Sequence, residues 1–231
     1  MQKRPTAGRR AGRSRLDTVP DIVALNEHEP RFEILEAAAA CFEARGFAST
    51  SIDDVARRLG STKGRIYHHF SSKTDLFTAV YRHGMEMLHV HLQPLAEREM
   101  EPLAKLKLLA TEHVRMMLAT RAFQRVVWEG VELHLRGATT PEQREAFDAL
   151  IATRERYSAY FRQAEEAAKA AGLLDYENLS IANQVMFMTL NSPIFWYKPR
   201  PGETDADREA LVRQIVTYAL RGLGARKELI E

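Results

Sequence analysis

The chain has 231 residues, 45% of them hydrophobic, and a formal net charge of +2. That is enough for one large domain or two small ones with a proper core, and no run approaches the ~18–20 apolar residues that a membrane-spanning helix needs. The only cysteine, Cys41, excludes an internal disulfide; beside Phe42 in an alanine-rich stretch it reads as a buried thiol.

Charge is placed unevenly. Lys3, Arg4, Arg9, Arg10, Arg13 and Arg15 fall within the first 15 residues, without an acid among them. Such a block reads as a flexible basic arm, taken here as residues 1–29. Against DNA it would add phosphate contacts or enter the minor groove; otherwise it is a solubilising terminus. No apolar stretch of secretory length follows it, so a cytoplasmic protein is expected.

The remaining elements follow in chain order. Phe32, Leu35, Ala39 and Phe42 give a first helix one apolar face, and Gly46 ends it. Thr50 with Asp53 predicts a capping pair for a second helix, whose inner face is Ile52, Val55, Ala56 and Leu59, with Gly60 closing it. Thr62 caps a third helix of about two turns, anchored inward by Ile66 and Phe70 and presenting Lys63, Arg65, Tyr67 and His68 outward. Ser72 with Asp75 starts a fourth helix that runs toward Pro94. Further helices are expected over 102–119, 121–136, 141–172, 176–199 and from Thr204, capped with Asp207, to Gly222 or Gly224. The sum is about nine helices with almost no strand signal, an all-α chain.

The second and third helices, joined by a short glycine-containing turn, have helix-turn-helix geometry. Lys63, Gly64 and Arg65 open the third helix, where base edges would be met; Gly64 lets the backbone approach closely. Thr50, Asp54, Val55, Ala56, Leu59, Gly60, Lys63, Gly64, Tyr67, His69, Phe70, Lys73 and Leu76 together resemble the DNA-binding domain of the TetR family of bacterial transcriptional regulators, over roughly Pro30 to His83. Ser61 departs from the pattern, which usually has an aliphatic residue there, and looser packing is expected at that point. The resemblance implies base contacts from Thr62, Lys63, Gly64 and Arg65, and backbone contacts from Ser51, Tyr67, His68 and Lys73. It also implies a homodimer on a palindromic operator, with repression the commoner mode. The DNA-binding domain is set at residues 30–83 and an effector-binding and dimerisation domain at 84–231, the boundary falling inside the fourth helix.

In the C-terminal part the helix before the last is apolar nearly all round, from Ile181 through Val185, Met186, Phe187, Met188 and Leu190 to Trp196. Such a helix must be covered on two sides; one side is core, and the other suits a second subunit. With the last helix it would build a four-helix interface of two-fold symmetry. The middle helices are rich in methionine and aromatic residues, including Met116, Phe123, Phe147 and Met186. That pattern makes either a plain core or an adaptable apolar pocket. Candidate effector contacts are Met117, Trp128, Glu132, Tyr157, Phe161, Arg162, Met188, Asn191 and Trp196. His113, Arg115, Glu129, His134 and Arg154 are further polar groups on these helices.

Residues 191–223 carry a second resemblance, through Trp196, Tyr197, Pro199, Gly202, Gly222 and Leu223, to the TetR subgroup that regulates fatty-acid and steroid catabolism. That subgroup often answers to acyl-CoA thioesters. Such a ligand would place its acyl chain in the apolar interior and its anionic head on Arg154, Arg162, Lys198 or Arg200. The alternatives are a different lipophilic ligand or efflux system, or a DNA-binding protein without an effector. A cavity with charged groups at its edge separates them.

Enzyme readings have little to stand on. Glu86 and His89 form half of a helical metal pair without a second half, His89 and His91 diverge, and no nucleophile, oxyanion hole or phosphate loop is marked. No cofactor and no metal are expected.

Overall fold

The computed structural model describes residues 30–137 and 141–230. The basic arm expected over residues 1–29 lies outside them, as does the side chain of Phe147. The helices are α1 (Pro30–Ser49), α2 (Ile52–Leu59), α3 (Lys63–His69), α4 (Lys73–Ala96), α5 (Pro102–Ala119), α6 (Arg121–Leu135), α7 (Pro141–Ala170), α8 (Leu179–Asn191), α9 (Pro193–Trp196) and α10 (Asp205–Gly222). Among the described residues there is no strand, and α9 is a single turn beside nine longer helices. The helix expected over 176–199 is thus two pieces. Pro193, which has no N–H to continue the ladder of α8, begins the second.

The expected cap on α2 is displaced by one residue. Ser51, not Thr50, is the N-cap, in a reciprocal box with Asp54. Thr50 is buried instead, and its hydroxyl lies 2.7 Å from the Gly46 carbonyl oxygen and 3.2 Å from that of Cys41, closing the end of α1. Hydrogen bonds from the Ser51 side chain and backbone, followed by Arg57 and Arg45, hold the Asp54 carboxyl well below the usual range. The caps Ser72 on α4 and Thr204 with Asp207 on α10 stand where the sequence places them. Cys41 is buried, and burial pushes its thiol upward.

Helix α4 runs unbroken from the helix-turn-helix into the C-terminal bundle. Both α1 and α4 pack along α6. Two glycines allow α4 and α6 to touch: a Cβ on Gly84 would lie 3.0 Å from Val127 Cγ2, and one on Gly130 would lie 2.5 Å from Tyr81 Cδ2. Tyr81 is fully buried, and burial pushes its phenol up to about 12. Phe42, Phe47 and Phe77 meet edge-on or tilted beside this contact, with centroids 4.8–6.1 Å apart.

Gly130→Ala is expected to destabilise the protein by about 1–3 kcal/mol through overpacking against Tyr81, more than the ~1 kcal/mol that alanine gains over glycine in a helix. Urea unfolding reads this as a lower midpoint at unchanged slope. An unchanged midpoint would mean that the Tyr81 ring has room to slip aside.

Candidate DNA-binding face and effector pocket

The recognition element is built from short-range rules. Gly60 ends α2 in the left-handed conformation, φ 64°, where glycine carries no steric penalty. Thr62 then caps α3, its Oγ1 accepting the Arg65 N–H at 3.4 Å. Ile66 and Phe70 are buried at 0% and 2% exposure, which turns Lys63, Gly64, Tyr67, His68 and His69 outward. Tyr67 is 52% exposed, too open for a packing residue. A Cβ on Gly64 would meet nothing nearer than Thr62 Oγ1 at 3.7 Å. The fold itself therefore does not need glycine there, whereas a closely approaching DNA backbone would.

Several of the expected DNA contacts already have partners within the chain. Lys63 Nζ is 2.7 Å from Asp53 Oδ2, and Arg65 is ion-paired with Glu33. Lys73 Nζ donates to the carbonyls of Phe47 (2.8 Å) and Ala48 (3.4 Å) and lies 4.5 Å from the centre of the Phe47 ring. Lys73 thus closes the C-terminal end of α1, and Ser51 caps α2; both serve the fold before they can serve DNA. Thr62, Lys63, Gly64, Arg65, Tyr67 and His68 share α3 and its cap.

Within the bundle, α4, α5, α6, α7, α8 and α9 surround a cavity of about 40 Å³. Four of the nine expected effector residues line it: Met117, Trp128, Tyr157 and Asn191. Phe161 stands behind, 5.6 Å from Tyr157 between ring centres. The other four are placed elsewhere. Glu132 borders a separate cleft with Glu129 and Phe195, and Arg162 pairs with Glu155 at 3.1 Å. Met188 and Trp196 are 51% and 54% exposed on the outside of the bundle. Sequence reasoning passed over Met85, Gln124 and Ser158, which also line the cavity. Gln124 could have been found, as a polar residue next to Phe123, Val126 and Val127 on a helix face that is otherwise buried.

The polar groups of the cavity have defined roles. His113 is fully buried between Tyr157, whose hydroxyl is 2.7 Å from Nδ1, and Asn191, whose Oδ1 is 2.9 Å from Nε2. An amide oxygen only accepts, so Nε2 carries the proton and Nδ1 accepts from the tyrosine. Burial first, and then Arg154, hold the imidazole down at about 4 against the opposing Asn191 bond, so it is neutral at pH 7. With its oxygen on His113, Asn191 turns its amide nitrogen, a donor, away from the imidazole. Gln124 spends both amide protons on the Gly84 carbonyl (3.1 Å) and Thr120 Oγ1 (3.0 Å), leaving its oxygen as an acceptor. Arg154, half-buried at the cavity, has no ion-pair partner among the described residues. The buried chain continues from Ser158 to Asn183 (2.8 Å) and from Asn183 to Glu165 (3.3 Å). Glu165 is 0% exposed, its second oxygen lacks a partner, and burial pushes its carboxyl up to about 7. His89, half of the sequence's metal pair, turns instead to Tyr160 Oη and the Thr153 carbonyl.

Comparison with known proteins gives the following. The family described as "Bacterial regulatory proteins, tetR family" matches residues 34–80, and "Tetracyclin repressor-like, C-terminal domain" matches residues 99–223. The HTH-type transcriptional repressor KstR2 of Mycobacterium tuberculosis is 33% identical over 87 residues, covering 38% of this chain and 44% of KstR2. The chain therefore spans less than half the length of that relative. The HTH-type transcriptional activator FasR of Mycolicibacterium smegmatis is 25% identical over 225 residues, covering 96% of this chain and 91% of FasR. Among solved structures, AibR in complex with isovaleryl coenzyme A and operator DNA shares the fold, with a TM-score of 0.66 at 24% identity, over 83% of this chain and 98% of that one.

Glu165 has a folded-state affinity for its proton above that of an unfolded glutamate. Its contribution to stability is full below the unfolded value near 4.5 and is lost as pH rises toward about 7. Glu165→Gln, which cannot ionise, is expected to raise stability at pH 8 by about 1–3 kcal/mol and to leave it nearly unchanged at pH 4. Thermal melts across that range decide it; equal shifts at both ends would mean that packing, not ionisation, limits the site.

Proposed function

The chain belongs to the TetR family of bacterial transcriptional regulators, and from that premise we propose that it is a homodimeric repressor released from a palindromic operator by a lipophilic, anionic effector. The observation that carries the effector reading is Arg154. A half-buried guanidinium at the edge of an apolar cavity, without a carboxylate of its own, is costly to the free protein and favourable to an incoming anion. The Asn191 amide beside it offers donors to a carbonyl oxygen. An acyl-CoA thioester has both features and an acyl chain for Met117, Trp128 and Tyr157. The AibR structure, with its isovaleryl coenzyme A, supports that ligand class.

For DNA, Thr62, Lys63, Gly64 and Arg65 are assigned to bases and Ser51, Tyr67, His68 and Lys73 to the backbone, Lys73 through the N–H that its two carbonyl acceptors leave over. The dimer is proposed to form on the outer faces of α8 and α10, where Ile181, Val185, Met188 and Tyr218 are 65%, 56%, 51% and 64% exposed. Residues 30–83 then form the DNA-binding unit and 84–231 the regulatory one, with α4 shared between them.

At about 40 Å³ the cavity holds a few waters at most. Effector-sized pockets run to about 300–1,000 Å³, so binding must part the lining helices, and α6 is the one proposed to move. Glu129 of α6 accepts the Phe47 N–H at 2.6 Å, so that movement reaches the end of α1. By linkage, operator DNA weakens the effector by the factor with which the effector weakens DNA. A second reading, activation, has the long FasR match in its favour; transcription in vitro with and without the protein distinguishes the two.

Fluorescence anisotropy at fixed salt, on a duplex selected by the protein from a random pool, tests the proposal. Arg65→Ala should lose about 1–3 kcal/mol of discrimination at one base pair. Arg154→Gln should bind DNA normally yet fail to release it to any acyl-CoA. Release of the wild type by no acyl-CoA removes that ligand class and leaves another lipophile or none.

A further inference from the structure

Glu33 reaches Arg65, a side chain assigned to base reading, from a different helix, α1. It lies in the first turn of α1, between Phe32 and Ile34, which are 3% and 0% exposed. Its backbone is therefore firmly seated, with the half-exposed carboxylate reaching α3. It meets Arg65 through one terminal nitrogen of the guanidinium. Arg65 is held at its other end too, by the Thr62 cap on its backbone N–H. We propose that Glu33 is a positioning residue for base readout: it fixes the Arg65 guanidinium so that its remaining N–H groups address one base, and it opposes the drift of that arginine to a phosphate. The proposal rests on Arg65 being a base contact.

The chemistry supports this over an incidental surface pair. A guanidinium is a rigid planar fork, so a contact on one terminal nitrogen sets the plane in which the other donors point. The nearby Lys63–Asp53 pair has no such consequence, since an ammonium is a point charge; its carboxylate is as open as that of Glu33, at 51% against 50%, while Lys63 at 54% is more open than Arg65 at 35%. A half-exposed pair adds little to stability, so its removal leaves the fold intact. A carboxylate on a face meant for DNA carries an electrostatic cost against every sequence. That cost is offset only where Arg65 makes a good base contact while still paired, which trades affinity for discrimination.

The test uses the full chain, the selected duplex, its single-base-pair variants and a random-sequence duplex. Glu33→Gln should flatten the preference at the Arg65 position by about tenfold while binding the random duplex more tightly. In an Arg65→Ala background the same substitution should leave the remaining preferences unchanged. Circular dichroism checks that each variant folds. If Arg65→Ala relaxes one position but Glu33→Gln relaxes none, the positioning role is overturned and base reading by Arg65 stands. Equal relaxation by Glu33→Gln with and without Arg65 also overturns it. If Arg65→Ala relaxes no position, the base-contact assignment itself fails and the proposal goes with it.

Discussion

Helix α6 is asked to be two surfaces at once. Val127, Trp128 and Val131 wall the cavity, while Gly130 takes the ring of Tyr81 and Glu129 takes the N–H of Phe47. Gly46, at φ 75°, turns the chain at the end of α1 so that Phe47 presents that N–H, and a side chain there would crowd the Glu129 oxygen at 3.1 Å. The Glu129 carboxyl is half-buried and its ionised form is disfavoured by that burial, with the Phe47 bond opposing. A change on the cavity side of α6 cannot be absorbed by soft packing on the other side, because the interior is close-packed against glycines.

This arrangement gives the cavity its energetics. His113 is neutral and satisfied on both nitrogens, Gln124 ties α6 to α4 through the Gly84 carbonyl and keeps its oxygen as an acceptor, and Arg154 has no ion-pair partner among the described residues. On the proposed reading, an effector would supply the work of separating packed helices. To reverse a strongly biased two-state equilibrium takes about 5 kcal/mol of differential affinity. A charge-assisted contact to an unpaired arginine together with a buried acyl chain is of that order.

The parts of this design differ in how far the sequence discloses them. Local rules suffice for α3: a cap, two inward apolar residues four apart, and hence an outward face. They err by one residue at α2, because Thr50 and Ser51 are both capping residues with an acid three positions on. The choice falls to burial, which draws the Thr50 hydroxyl onto the Cys41 and Gly46 carbonyls. The cavity is less legible. Met117, Trp128, Tyr157 and Asn191 converge on it from different helices, while Met188 and Trp196, of the same chemical type, face outward. Which side of an all-apolar helix faces inward is decided by its neighbours, not its own composition.

The same dependence on neighbours governs the basic face. In the free protein Lys63 and Arg65 are paired with Asp53 and Glu33, and Lys73 is folded back onto carbonyls. On the proposed reading Lys63 exchanges Asp53 for DNA at little cost, since an exposed pair is worth roughly 0–1 kcal/mol, and released counterions drive it at low salt; Arg65 keeps Glu33 while its remaining N–H groups meet a base. Lys73 keeps its two carbonyl acceptors at the end of α1, the helix that α6 holds through Phe47, and has one N–H left to offer. On the proposed reading, a phosphate that takes that N–H would load the same joint as an effector that displaces α6, from the opposite side, since Phe47 bonds both Lys73 and Glu129. The two proposed ligands would then work against each other through a hydrogen-bonded corner of a few residues, without any contact between them.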